Sequence, residues 1–336
     1  MTLTLEDVAR LAGVSRSTVS RVINADPKVN AQTRVQVEKV IQELNFQPNM
    51  AARGLAVGHT RVLGLVIPKG VSTIFADPYF QQVIQGVSQA CNAREYSVML
   101  WLAEPEYERR MIRQILYNGL VDGGVVSSML MDDPIVEAMA EGRLPFILIG
   151  RHPTNDRVSY IDVDNVSSSQ QAEVHLLRLG PRRVATITGP MNTVVGIDRY
   201  QGYQNALMER GLPLLPDLVA EGDFTDASGY AAMQLLLQAE PDAVFCASDP
   251  MALGALRALN DAGKRVPEDV AVVGFDDAPF AAHTTPPLTT VRQPTQRTGS
   301  MAAETLMEMI ESPDSQPRRV ILPTELVIRS SCGAVI

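Results

Sequence analysis

The 336-residue sequence is poor in the features that mark several large classes of protein. Its three cysteines, Cys91, Cys246 and Cys332, are far apart and odd in number. With no CxxC pair and no Cys/His ligand spacing, neither a disulfide framework nor a metal site is expected. His59, His175 and His283 stand without partners at catalytic or metal spacing. The apolar runs, such as 62–68, are strand length and too short to span a bilayer. No basic stretch followed by an apolar one opens the chain, so a cytoplasmic protein with no membrane association is expected. The GxSxG elbow, the GxxxxGK[ST] phosphate loop and the HExxH pair are all missing. The glycines of GLVDGG (119–124) precede a strand instead of opening a helix. The reading is therefore of a protein that is not an enzyme and needs no cofactor.

What is present describes a folded chain. Apolar residues make up 46% and charged residues 20%, and the length suggests two or three domains. The formal charge of −9 argues at first against a polyanionic partner, but its distribution reverses that. Residues 1–61 hold eight Lys/Arg against five Asp/Glu, a net of +3, which leaves −12 on the remainder. A mildly basic head on an acidic body suits nucleic-acid binding confined to one end.

That head opens with LEDVARLAGVSRSTVSRVIN (5–24). Thr4 lies three residues before Asp7, so it can cap a helix whose apolar face is Val8, Ala9 and Leu11. Gly13 supplies the tight turn, and Ser15 caps a second helix over Arg16 to about Asn24 with Val19, Val22 and Ile23 inward. Arg16, Ser17, Ser20 and Arg21 then point outward. This is a helix-turn-helix whose second helix fits the major groove of duplex DNA. A third helix, capped by Asn30 and running from about Ala31 to Leu44, closes a small core through Val35, Val37, Val40, Ile41 and Leu44. Pro48 stops it, and Asn49 can cap a short helix to about Val57 with too little apolar area to be stable alone. A plain linker remains the other reading of that segment.

From Arg61 the pattern becomes strand–helix alternation. Strands are expected at 62–67, 96–102, 123–128, 145–150, 183–188, 217–222, 242–248 and 269–275. Helices are expected over 79–94, 106–118, 198–210, 228–238 and 251–262, with another between 128 and 145. Continuous apolar strands separated by amphipathic helices imply parallel sheets covered on both faces, and two such sets imply two doubly wound lobes. Ligands bind such sheets beyond the carboxyl ends of the strands. The loops FADPYF (75–80), GPMNTVVGIDRY (189–200), SDPM (248–251) and GFDDAPF (274–280) fall there. They offer Asp77, Tyr79, Phe80, Val195, Arg199, Asp249 and Asp276, with Trp101 and Phe224 as further flat faces and Arg151 near the expected mouth. Guanidinium, carboxylates and flat aromatic faces suit a ligand rich in hydroxyls. Several have ordinary alternatives: Asp276 and Asp277 as helix caps, Phe224 and Trp101 as core, Arg199 paired with Asp198, and Arg151 as a solvated loop residue.

LEDVARLAGVSRSTVSRVIN followed by TRVQVEKVIQELNFQPNMAARGL resembles the DNA-binding headpiece and hinge of the lactose-repressor/galactose-repressor (LacI/GalR) family of bacterial transcription factors. SDPMALGALRAL, VAVVGFDDAPF and PPLTTVRQP continue the resemblance over essentially the whole chain. It implies a small all-α helix-turn-helix headpiece (1–46), a hinge (47–60) and two doubly wound parallel-sheet α/β lobes of periplasmic-binding-protein type. The chain would cross between lobes three times, giving a first lobe of 61–162 with 293–322 and a second of 163–292 with 323–336. Arg199, Phe224, Asp249, Asp276 and Gln293 fall on family positions that contact sugars or, in some members, purines, although Asp249 replaces the Asn common in sugar-responsive members. In the headpiece Arg16, Ser17 and Arg21 are expected in the major groove, with Thr18, Asn24 and Thr33 on phosphates. Thr4, Ser15, Ser20, Asn30, Asn49 and Ala52 join the candidate DNA contacts, and Leu55 is expected to wedge with its symmetry mate into the minor groove.

The expected function is thus an effector-switched transcriptional regulator that binds double-stranded inverted-repeat operators as a homodimer, a repressor by expectation. A neutral sugar is the expected effector and a purine co-repressor the alternative. A free carbohydrate-binding protein or an enzyme is the distant rival. Because ELVIRSS runs to Ile336 with no heptad stretch, dimers and not tetramers are expected.

Overall fold

The computed structural model describes residues 3–24, 26–46, 59–102, 107, 111, 119–180, 183–313 and 316–334. They divide into two compact units, Met1–Thr60 and Arg61–Ile336. Asn49, Ala52 and Leu55 of the expected hinge, and most of the helix expected over 106–118, lie outside the described residues.

In the first unit α1 (Leu5–Leu11), α2 (Arg16–Ile23) and α3 (Ala31–Glu43) each begin at a side-chain cap. Thr4 accepts from the Asp7 amide while Asp7 Oδ2 accepts from the Thr4 amide at 3.0 Å, a reciprocal capping box. Ser15 Oγ accepts from the Thr18 amide at 3.1 Å, and Asn30 Oδ1 from the Thr33 amide at 2.7 Å. Gly13, at φ +63°, makes the turn between α1 and α2 in a conformation that costs an L side chain about 1–2 kcal/mol. The core is Val8, Ala9, Ala12, Val19, Val22, Val37 and Phe46.

Two residues expected in that core face water: Leu11 is 58% exposed and Val35 64%. Ala12, four residues after Val8, takes the inner position one turn on, which leaves Leu11 on the flank. Val35 lies two residues from the fully buried Val37, about 200° around the helix.

The second unit holds two six-stranded sheets. The first contains β1 (Val62–Val66), β2 (Ser97–Trp101), β3 (Gly123–Ser127), β4 (Phe146–Ile149), β5 (Tyr160–Val163) and β11 (Arg319–Leu322), ordered β2-β1-β3-β4-β5-β11 and parallel throughout. The second contains β6 (Val184–Thr188), β7 (Val219–Glu221), β8 (Ala243–Cys246), β9 (Ala271–Asp276), β10 (Thr289–Arg292) and β12 (Glu325–Val327), ordered β7-β6-β8-β9-β10-β12. Only β12 runs antiparallel, pairing Thr290 with Val327 and Arg292 with Glu325 on β10. The chain passes from the first sheet to the second after β5, returns after β10, and passes over again after β11.

Helices cover the sheets. On the first, α4 (Val71–Ala76), α5 (Pro78–Ala93), α6 (Pro134–Ala140) and α11 (Thr295–Glu311) pack; on the second, α7 (Asn165–Arg178), α8 (Val194–Glu209), α9 (Asp226–Leu236) and α10 (Asp249–Asp261). Leu63 and Leu65 of β1 meet Val83 and Val87 of α5 and Leu306 and Met307 of α11 in one core. Truncating the fully buried Leu65 to alanine would cost about 2–5 kcal/mol. Among the described residues no helix is long and apolar enough to cross a membrane.

Candidate functional site

The carboxyl ends of the central strands of both sheets converge on one cavity of about 50 Å3. From the first lobe come Asp77 and Tyr79 at the start of α5, Met129 after β3, Ile149 and Gly150 at the end of β4, and Asp162 in β5. Asn165 opens α7; Val195 and Arg199 of α8, Phe224, Ser248, Asp276 and Gln293 complete the lining. Small-molecule sites run roughly 300–1,000 Å3. A ligand of that size therefore enters only if the lobes part or the lining withdraws.

A connected polar network fills the floor. Arg199 is 4% exposed; its Nε donates to Asn165 Oδ1 at 3.0 Å, and Nη1 donates to the Ala247 carbonyl at 2.5 Å and lies 3.5 Å from Asp276 Oδ1. The guanidinium also stacks on the Phe275 ring, 3.6 Å from its centroid. Gln293 Nε2 donates to Asp276 Oδ1 at 2.6 Å, joining the end of β9 to the segment that returns to the first lobe. Burial pushes the Asp276 carboxyl up to about 7 against the pull of Arg199, and the same burial lowers the guanidinium's own pKa. Burial also raises the Tyr79 phenol and the Asp77 carboxyl, whose Oδ1 caps α5 by accepting from the Tyr79 amide at 2.9 Å.

Backbone geometry at the site is unusual. Phe224 sits at φ +71° and Asp276 at +124°, values that L residues adopt at a cost of about 1–3 kcal/mol. The Phe224 ring fits because residue 189 is glycine: a Cβ there would lie 2.2 Å from Phe224 Cζ. The lobes also touch across the mouth. The Val194 amide donates to the Met129 carbonyl at 2.9 Å, the Met131 amide to the Asn192 carbonyl at 3.1 Å, and Arg151 Nη2 to Asp198 Oδ1 at 2.5 Å.

Of the residues read from the sequence, Asp77, Tyr79, Val195, Arg199, Phe224, Asp276 and Gln293 line the cavity. Four do not. Phe80 is 2% exposed in the first-lobe core, because one residue of helix rotation turns it away from its neighbour Tyr79. Trp101 ends β2, the edge strand, while the cavity lies over β3, β4 and β5. Asp249 is wholly buried beneath the site, where its oxygens accept from the Ala278 amide at 2.7 Å and Thr290 Oγ1 at 2.6 Å. Arg151 is held by Asp198 at the mouth, so Arg199 is not that acid's partner. Arg199 also lies in the second turn of α8, since Thr193 caps the helix four residues earlier than expected. Asp277 is no helix cap: Arg292 and Arg329 each reach its carboxylate at 2.6 Å. Met129, Ile149, Asp162, Asn165 and Ser248 were not foreseen.

In the headpiece unit Arg16, Ser17, Arg21 and Asn24 are exposed along α2, with Thr18 and Ser20 half-buried. Arg16 Nη1 pairs with Glu6 Oε1 at 3.2 Å, both side chains largely solvated, so the pair yields readily to another anion. Ser15 Oγ lies 2.8 Å from both Ser17 Oγ and Thr18 Oγ1. The side chains of Thr4, Ser15 and Asn30 are already engaged as caps. Thr33 is half-buried at the start of α3.

Comparison with known proteins agrees with both halves. The signature of bacterial regulatory proteins of the lacI family matches residues 4–49, and that of a periplasmic binding protein-like domain matches 174–332. The HTH-type transcriptional regulator CelR of Thermobifida fusca is 42% identical over 332 residues, 98% of each chain. A solved structure of a transcriptional regulator CelR–cellobiose complex superposes with a TM-score of 0.78 at 40% identity, covering 98% of this chain and 99% of that one. A lac repressor dimer bound to operator and the anti-inducer ONPF superposes with a TM-score of 0.88 at 28% identity, covering 99% and 100%. Length, domain order and full-length similarity coincide, and the chain belongs to the lacI family of bacterial regulatory proteins.

Proposed function

We propose that this chain is a cytoplasmic, dimeric repressor that reads an inverted-repeat operator and releases it when a neutral carbohydrate binds between its lobes. Residues 1–46 read DNA, 47–60 form the joining hinge, and the two lobes are 61–162 with 293–322 and 163–292 with 323–336. Cellobiose is the first candidate effector, because the relative of 42% identity is a CelR and a CelR has been solved with that sugar. The observation that carries the ligand class is the Asp276 carboxyl, which lines the cavity while Gln293 and Arg199 hold its Oδ1. Carboxylates accept hydroxyl protons and repel phosphates and acids. A ligand shifts DNA affinity only by binding two arrangements of the lobes unequally, and a cavity of about 50 Å3 cannot admit a disaccharide without rearranging. Two heads held by one dimer gain effective concentration on an inverted repeat. The purine alternative rests on Arg199 and Phe224, which would also suit a planar base.

The test is fluorescence anisotropy on an operator selected from a randomised pool. Cellobiose should release the protein, and purine bases should do nothing. Tighter operator binding with a purine, or no response to any neutral sugar, overturns the reading.

A further inference from the structure

One lining residue is chemically unfinished. Asp162 is 6% exposed in β5. Its Oδ1 accepts from the Val163 amide at 2.8 Å and from Asn165 Nδ2 at 3.3 Å. Its Oδ2 is buried with no hydrogen-bond partner among the described residues. A buried acceptor left unsatisfied is costly and calls for a partner.

Position gives that atom a use. Asp162 lies on the first sheet and Asp276 on the second, and both line the same cavity. One chain of contacts ties them: Asp162 Oδ1 to Asn165, Asn165 Oδ1 to Arg199, and Arg199 to Asp276. The Arg199 guanidinium thus contacts Asp276 directly and Asp162 through Asn165, linking two carboxyls that line the cavity from opposite lobes. Burial, reinforced by Asp198 and opposed by Arg151 and Arg199, lifts the Asp162 carboxyl to about 6.

We propose that Asp162 is a specificity-determining contact, its Oδ2 accepting a ligand hydroxyl on the first-lobe side while Asp276 accepts one on the second. This deepens the carbohydrate reading and rests on it. Two carboxyl groups on opposing walls, each accepting from the ligand, select a ligand with hydroxyl donors at both ends. They reject analogues in which the first-lobe hydroxyl is removed or methylated, because the site's buried oxygen is then left unpaired. A ligand that touches both carboxyls also bridges the two lobes, which is the differential contact a switch requires.

The experiment is isothermal titration of the full-length protein and Asp162→Asn with cellobiose and a set of monodeoxy cellobioses. The amide preserves the Oδ1 contacts and removes the free acceptor. Affinity for cellobiose should fall tenfold or more, with the ligand-free melting temperature unchanged or higher. One monodeoxy sugar should bind wild type and variant alike, since it lacks the hydroxyl that Asp162 reads; a merely structural role would penalise every analogue equally. Should Asp162→Asn not fold, Asp162→Ser offers the same readings. Unchanged cellobiose affinity in the variant, or a uniform penalty across the analogues, overturns the Asp162 assignment and leaves the carbohydrate reading standing. Wild-type protein that binds neither cellobiose nor any other neutral sugar overturns both.

Discussion

Arg151, two residues beyond β4, reaches across the mouth of the cleft to Asp198 on α8, Nη2 to Oδ1 at 2.5 Å. Asp198 is 7% exposed, so its carboxylate depends on that guanidinium for solvation. Removing Arg151 leaves a nearly buried charge alone, which is costlier than removing both partners. Arg151→Ala should lower stability by about 1–2 kcal/mol, and Asp198→Asn in the same chain should recover part of it. Urea unfolding of the two single variants and the double variant measures the coupling; simple additivity would mean that the contact contributes nothing.

Glu173 on α7 is wholly buried, and neither carboxyl oxygen has a hydrogen-bond partner among the described residues. Burial raises its pKa well above the ordinary 4.5. The folded state therefore holds a proton that the unfolded chain releases, so this group favours folding at low pH and less as pH rises past 4.5. Glu173→Gln keeps the shape without the titration. Wild type should lose about 1.4 kcal/mol per pH unit relative to the variant above that point, until the buried group itself ionises. Denaturation at pH 5, 6 and 7 checks the slope, and parallel curves for the two proteins would contradict it.

Arg16 is solvated at the start of α2, and its partner Glu6 is equally exposed. If it reads a base, Arg16→Ala costs about 1–3 kcal/mol and relaxes preference at one base pair of each half-site. Binding-site selection with the variant distinguishes this from a phosphate contact, which would weaken every sequence alike and leave the consensus intact.

The limits of sequence reading are physical here. Headpiece caps and the turn glycine are local features, so Thr4, Gly13, Ser15 and Asn30 were legible. Leu11 and Val35 were misplaced because short helices leave several apolar residues near the boundary of the buried face. In the pocket, Arg199, Asp276 and Gln293 were legible through strand-end position and resemblance to the family. Asp162 was not, because YIDV is a four-residue strand with a charge in it and no long apolar run announces it. Asp249 shows the converse: a carboxylate beside a strand end reads as a ligand group until the Ala278 amide and Thr290 hydroxyl are seen to occupy it.

Both the sugar and the purine readings place the ligand against Phe224. Its ring lines the cavity from a left-handed backbone position and occupies the space that Gly189 leaves. Phe224→Ala should weaken cellobiose binding by about 1–3 kcal/mol through lost stacking area and lost apolar contact. Gly189→Ala should do the same by displacing the ring, with operator affinity unaltered in both. Titration calorimetry is the check, and unchanged sugar affinity in both variants would remove the ring from the ligand's surroundings.

Under the proposed function, a sugar held at Asp276 controls DNA binding by the headpiece. The most direct measurement is operator anisotropy for wild type and Asp276→Ala, each titrated with cellobiose. Equal operator affinity is expected without sugar, with release of wild type by cellobiose and no release of the variant, whose ligand hydroxyls would go unpaired. A variant released at the same sugar concentration as wild type would place the effector somewhere other than this pocket.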